Sequence, residues 1–373
     1  MSRYFVNSPV SGVLTIMFST TGSIAAYKRQ GSYSAFVARL QIYAGHFAKV
    51  HICTFDTINY SDELGIANVF HHPMPNLPAI SVFYHVLSPL IHRRILSDTT
   101  VIRTFNITGA IPGVILRFFT KAPVFVSYGY SLPGFILFEH GRLKYWLYRF
   151  VEKIALTLGD YIITATPNQF KTVGAEYGEH KMVLIPNFVD SDRFAPPNEP
   201  RSDYLLFVGR LSPQKNLDVF LKALAQAGLN RPLKIVGQGE LEIPLRQLVG
   251  ELDLQVEFTG TLSNEVLPTL YASAWAFVLP SLFEGMPKVL IEAMACAAPC
   301  LGTNVEGIRD LIVDGETGLL VQPTVAGLSA GLQRLEDDDL RAHIGQQARC
   351  FIEEKFSMRQ ILAEEIACLQ GSQ

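Results

Sequence analysis

Long apolar runs are missing from this 373-residue chain. No stretch offers the roughly 18 consecutive apolar residues of a membrane span, and the uncharged segment 122–138 is broken by Pro123, Gly129, Pro133 and Gly134. Cysteine is scarce: Cys53, Cys296, Cys300, Cys350 and Cys368 form no C-x-x-C pair and leave an odd one over. That argues against both a disulfide framework and a zinc site. The opening MSRYFVNSPVSG lacks the apolar core of a secretory leader, so a reducing, cytoplasmic setting is expected. There is no internal repeat or low-complexity tract. VGQGEL (236–241) lacks the third glycine of a dinucleotide fingerprint.

What is present is ordinary globular composition, 49% hydrophobic and 17% charged, at a length that predicts two domains. The net charge of −3 hides an asymmetry: residues 1–190 carry 16 Lys+Arg against 10 Asp+Glu, whereas 191–373 carry 15 against 24. The first half is therefore expected to face an anionic surface, with a peripheral contact at the inner face of a membrane. The apolar-basic stretches LIHRRIL (90–96) and IPGVILRFFTK (111–121) are the segments for it. Buried helices flanked by surface charges would read the same way.

Short β-rich runs alternate with helical periodicity throughout. In the first half these are VLTIMF (13–18), VHICTF (50–55), VFVS (124–127), YIITA (161–165) and MVLI (182–185). Between them lie helices with apolar faces at Phe36, Val37, Leu40, Tyr43, Ala44 and Phe47, and at Leu147, Val151, Ile154, Ala155 and Leu158. The second half adds YLLFV (204–208), LKIV (233–236), VEF (256–258) and AWAFVL (274–279). Alternation of this kind predicts an α/β chain of two Rossmann-like, doubly wound domains, with a cleft where the carboxyl ends of the sheets meet. The proline-rich DSDRFAPPNEPRSD divides them: a domain over 1–188, a linker over 189–203 and a domain over 204–356, with a helix over 357–373 packing back on the first.

Two constellations carry chemistry. After YLLFV come Gly209 and Arg210, then Lys215 and Asn216 at the next helix. The glycine lets backbone turn close to a ligand, and two cations at a helix start suit a diphosphate; a solvated loop with two surface charges is the plainer alternative. In PSLFEGMPKVLIEAMACAAP, Glu284 precedes a helix whose first residue is expected to be Pro287, and Glu292 interrupts the apolar run around Val289. A carboxylate in such a run must accept hydrogen bonds if buried, and paired sugar hydroxyls are suitable donors. A helix-start acid and a boundary glutamate would use the same residues.

Together these segments resemble the retaining glycosyltransferases of family 4, which have the GT-B fold. The pieces that match are G-R-x4-K (Gly209, Arg210, Lys215), the VGQGEL turn, E-x7-E (Glu284, Glu292), EGIRDLI (306–312) and DGETGLLV (314–321), taken as a hairpin. NFVD (187–190), followed by Phe194, stands for the family's N-G-V-D, with Phe188 for glycine. The match runs from about Gly178 to the C-terminus. It implies that Arg210 and Lys215 bind the diphosphate of a UDP- or GDP-linked sugar donor, that Glu292 binds its ribose, and that Glu284 contacts the transferred sugar. Gly285, Met286, Pro287, Lys288 and Val289 would line that site, with Gly260, Thr261 and Leu262 as the base-binding loop. The family's paired glycines after the first strand correspond to Gly31 and Ser32, and Tyr128 occupies the place of a family histidine; His140 is a second candidate.

The implied activity is transfer of a sugar to a glycan or lipid-linked acceptor in cell-envelope or exopolysaccharide synthesis, without metal or other cofactor and without nucleic acid. A nucleotide-sugar-binding regulatory subunit, or an epimerase or phosphorylase of the same architecture, would share the pattern. Asp190-x-Asp192 and Asp337-x-Asp339 match a D-x-D metal signature only formally. Tyr128 is expected to turn its phenol towards the cleft, and His71 and His72, before Pro73, are expected on a surface turn.

Overall fold

A computed structural model of the protein describes residues 11–18, 23–75, 84–128 and 142–371. The chain divides into two compact units, Met1–Ile185 together with Leu362–Gln373, and Pro186–Ile361. The first unit contains seven parallel strands: β1 (Val13–Met17), β2 (Lys49–Cys53), β3 (Val69–His72), β4 (Val101–Thr104), β5 (Val124–Tyr128), β6 (Tyr161–Thr164) and β7 (Met182–Leu184), in the order β3-β2-β1-β4-β5-β6-β7. The second has β8 (Leu205–Val208), β9 (Leu233–Val236), β10 (Val256–Gly260), β11 (Ala276–Leu279), β12 (Cys300–Thr303) and β13 (Leu319–Val321), in the order β10-β9-β8-β11-β12-β13. Each order reverses beside the unit's first strand, at β1/β4 and at β8/β11. That switch point leaves a crevice at the strand ends in an open parallel sheet. The expected α/β architecture of two Rossmann-like domains is the one observed.

Several local expectations are corrected. DGETGLLV is not a hairpin: Gly315 N–H closes a tight turn onto the Gly318 carbonyl, and β13 then pairs parallel to β12. Residues 189–203 pack into the second unit, because Arg201 donates to the carbonyls of Cys296 and Ala297 at 3.1 and 2.7 Å and Phe194 is buried. The helix Arg142–Leu158 buries Glu152, Ala155 and Leu156, leaving Ile154 and Leu158 exposed. Apolar residues occur on two of its sides, and periodicity alone does not say which side the sheet takes.

His71 and His72 are also buried, at the end of β3 and not on a surface turn. The Tyr60 N–H donates to His71 Nδ1 at 3.1 Å, so Nε2 carries the proton and donates to Thr54 Oγ1 at 2.7 Å. Thr54 passes its own proton to Asp56 (2.8 Å), whose carboxylate accepts the Ile24 and Ala25 N–H groups at the start of the helix Ile24–Arg29. Alongside, His72 Nε2 lies 2.9 Å from His51 Nδ1, and its ring lies against that of His92.

Burial pushes His71 down to about 4, against the opposing pull of Asp56, and pushes His72 down to about 3, helped by His51 and His92. Both are neutral when folded, whereas the unfolded chain takes up protons near pH 6.5. Their stabilisation is therefore full above that pH and is lost as pH falls below it. By pH 5 each should have cost about 2 kcal/mol. Urea unfolding at pH 7 and pH 5 checks this: His72→Gln should flatten the dependence by about that amount, and parallel curves for variant and wild type would refute it.

Candidate active site

In the second unit three loops converge at the carboxyl ends of β8, β9 and β10, joined through glycine backbone. Gly209 N–H donates to the Val236 carbonyl at 2.9 Å, and Gly237 N–H to the Gly260 carbonyl at 2.8 Å. Gly237 has φ +134°, and a Cβ there would stand 1.9 Å from the Gly209 carbonyl oxygen. No other residue fits without moving one loop off the other. Gly237→Ala should therefore lose about 1–3 kcal/mol of stability to backbone strain and about tenfold in turnover through the displaced loop. Thermal unfolding and donor kinetics on one preparation check it, and wild-type values for both would contradict the packing.

The loop after β8 is tied to the loop after β11. Leu282 N–H donates to the Gln214 carbonyl at 2.8 Å, and Gln214 Nε2 to the Phe283 carbonyl at 2.8 Å. Asn216, in the left-handed region at φ +54°, sends its Nδ2 to the Pro280 carbonyl at 3.1 Å. These clamps bring together two of the expected residues, Lys215 and Glu284, whose Nζ and Oε1 form an ion pair that is largely shielded from water. Ser281 Oγ donates to the same oxygen at 2.7 Å. Lysine offers three donors and Glu284 takes one. Gly209 lies beneath, 3.6 Å from Lys215 Cε when given a Cβ, and Arg210 is exposed beside it.

Beyond Glu284 the chain turns through Gly285 and Met286. Gly307, at φ +79°, packs so closely on this turn that a Cβ would come within 2.0 Å of the Gly285 carbonyl. Asn187 Nδ2 holds the Met286 carbonyl at 2.8 Å. Pro287 is the N-cap, with ψ 108°, and the helix runs Lys288–Ala295, one residue later than expected; an N-cap keeps extended backbone.

Glu292 is 6% exposed. Burial pushes its carboxyl above the usual range, partly offset by Lys288, 3.6 Å away, and by the Tyr271 hydroxyl, which donates at 3.2 Å. Sugar hydroxyls are thus not its only donors. Tyr271 is fully buried, and its own ionisation is pushed far up by burial and by Glu292. Sequence reasoning missed Tyr271, which lies 21 residues away with no local signal. Val289 is half-buried against the core, Leu262 likewise, and Thr261 is exposed.

Other expected residues stand in the first unit. Gly31, at φ +66°, lies in the turn between the helices Ile24–Arg29 and Tyr33–Ala44, not directly after β1. Tyr128, at the end of β5, is buried as a member of the hydrophobic cluster that also includes Met17, Ile107 and Ala110, where an outward phenol was expected. His140 lies outside the described residues. Of the D-x-D pairs, Asp190 accepts the N–H groups of Asp192 and Arg193, and Asp337 caps the helix Asp338–Lys355.

Residues 188–351 match the family model described as glycosyl transferases group 1. The chain is 25% identical over 313 residues to an uncharacterized glycosyltransferase of Methanocaldococcus jannaschii, covering 82% of this chain and 85% of that protein. It is 27% identical over 284 residues to the capsular polysaccharide biosynthesis glycosyltransferase CapM of Staphylococcus aureus, covering 70% and 73%. Among solved structures, HepE of Anabaena in complex with UDP and glucose superposes with a TM-score of 0.75 at 17% identity, covering 97% of this chain and 100% of that one. That last likeness is one of fold.

Proposed function

We propose that this chain, with its GT-B fold, is a retaining glycosyltransferase of family 4 that takes its sugar from a UDP- or GDP-linked donor held in the second unit. The observation that carries the reading is Lys215, paired with Glu284, itself held by Ser281, where the β8 and β11 loops are clamped together, with backbone glycines on either side. In this reading Lys215 and Arg210 meet the donor diphosphate, and Glu284 shares Lys215 with it while facing the transferred sugar. Glu292, steadied by Tyr271, takes the ribose. Gly260, Thr261 and Leu262 receive the base.

As the bond from C1 to the phosphate oxygen breaks, positive charge grows on the sugar and negative charge on the leaving diphosphate. Fixed cations and backbone donors stabilise the latter without a metal. The acceptor oxygen bonds C1 on the face that the leaving group vacates, and its proton passes to the departing phosphate. No protein nucleophile is needed and configuration is kept.

The acceptor is proposed to be a glycan or lipid-linked saccharide of cell-envelope or exopolysaccharide synthesis, met at the inner face of a membrane; the likeness to CapM and the basic first half support this. The deciding experiment sets UDP- and GDP-sugars against envelope lipid extract in excess EDTA and reads the product's anomeric configuration by NMR. The α product from an α-linked donor is expected. A β product would overturn retention, and activity restored only by manganese or magnesium would overturn the metal-free chemistry.

A further inference from the structure

We infer that one flank of the first unit is a docking surface for an anionic membrane, built on three adjacent helices. The helix Ala110–Thr120 packs against both Tyr84–Ile91 and Arg142–Leu158. Their outer positions are apolar where solvent-facing helix positions are ordinarily polar: Phe118 is 79% exposed, Phe119 51%, Trp146 67% and Phe150 63%. Ile154 and Leu158 continue the last pair. Steps of four residues from Trp146 to Leu158 lay these side chains along one slowly winding stripe about 18 Å long. The turn after Tyr84–Ile91 adds exposed Ile95.

Charge selects the occupant. Arg93, Arg94, Lys121, Arg149 and Lys153 stand exposed around the apolar positions. Of the acids nearby, Asp98 pairs with Lys49 at 2.6 Å, Glu152 is buried and pairs with Arg149 at 3.3 Å, Asp160, at the foot of the stripe, pairs with Arg117 at 3.0 Å, and exposed Glu176 stands near Glu152. Aromatic side chains flanked by five exposed Lys and Arg residues match an interface whose headgroups are anionic and whose acyl boundary is apolar. The surface extends the sequence-based expectation for 90–96 and 111–121, and it moves the centre of the contact to the helix Arg142–Leu158. It rests on the proposed function only in that a lipid-borne acceptor would give the docking its purpose.

The chain supplies its own probe, since Trp146 is one of two tryptophans and the other, Trp275, is buried. Phosphatidylcholine vesicles containing phosphatidylglycerol should shift tryptophan emission to the blue at low salt. The shift should be absent in Trp146→Phe and reduced at least tenfold in apparent affinity by 0.5 M salt or by Phe118→Ser with Phe150→Ser, roughly as expected for lost aromatic and screened electrostatic contacts. Absence of any shift would overturn the inference, as would an equal response to pure phosphatidylcholine. So would a concentration-dependent dimer that Phe150→Ser abolishes, because a second copy would then cover the patch. Donor hydrolysis to water, read on the same samples, separates the two proposals. Vesicle binding without hydrolysis leaves the surface standing and removes the enzymatic reading, and hydrolysis without binding does the reverse.

Discussion

Lys215→Ala is expected to lower kcat/KM for the nucleotide-sugar donor by about 10²–10³-fold, the size seen when one fixed stabiliser of developing negative charge is removed. The magnitude follows from placement. Lys215 Nζ is held by Glu284 within a pocket of clamped loops and is mostly shielded from water, so its charge acts at reduced screening and needs no reorganisation when the diphosphate departs. The neighbouring Arg210 is exposed and should matter less, because solvent screens it. Unfolding is measured beside kinetics, which separates an effect on folding from one on turnover. Glu284 keeps its bond from Ser281 in the variant, and the fold should persist. Donor kinetics within threefold of wild type would remove Lys215 from the reaction.

The second large effect is on stability. Glu365→Ala is expected to cost the first unit about 3–5 kcal/mol, the usual result of removing one partner from a buried ion pair. Glu365 is buried on the helix Met358–Gln370, where it accepts from Arg103 of β4 and, at 3.2 Å, from Arg39. Burial alone would raise its carboxyl, but the two guanidiniums outweigh that and hold it below its usual value. Arg103 also donates to Ser127 Oγ and the Thr104 carbonyl, and Arg39 to Tyr43 at 2.9 Å, so one cation is built into the sheet and the other into the helix Tyr33–Ala44, and both stay behind when Glu365 is removed. A carboxyl depressed in this way stabilises above its unfolded value, and that contribution is lost as pH falls through the folded one. The loss in Glu365→Ala should therefore be large at pH 7 and shrink in acid. Denaturant unfolding followed by far-ultraviolet circular dichroism reads the change. A change below about 1 kcal/mol would mean that the pair is no better than a surface one.

This ion pair also shows why part of the fold was illegible in the sequence. Strands of uninterrupted β-branched and apolar residues, such as LLFV at β8, can be read directly. VIRT at β4 hides behind an arginine that is buried only because a glutamate 262 residues away meets it. VFHH at β3 looks like a turn because its histidines are satisfied by Thr54, Tyr60 and His51, and CLGT at β12 carries a glycine where Ile308 packs close. The proposed donor constellation is legible because its parts are local: a strand, a glycine, a cation and an acid before a helix. Its cross-connections are not. Tyr271 behind Glu292, Lys215 against Glu284 and Gly307 against Gly285 are contacts that only the folded sheet creates.

Crystals grown with whichever of UDP or GDP raises the unfolding temperature more would test the central claim most directly. The nucleotide is expected at the carboxyl ends of β8, β9, β10 and β11, with its diphosphate against Lys215 and the turn of Gly285 and Met286, its ribose at Glu292 and its base at Gly260. A nucleotide bound elsewhere on the chain, or neither nucleotide bound at millimolar concentration, would contradict it.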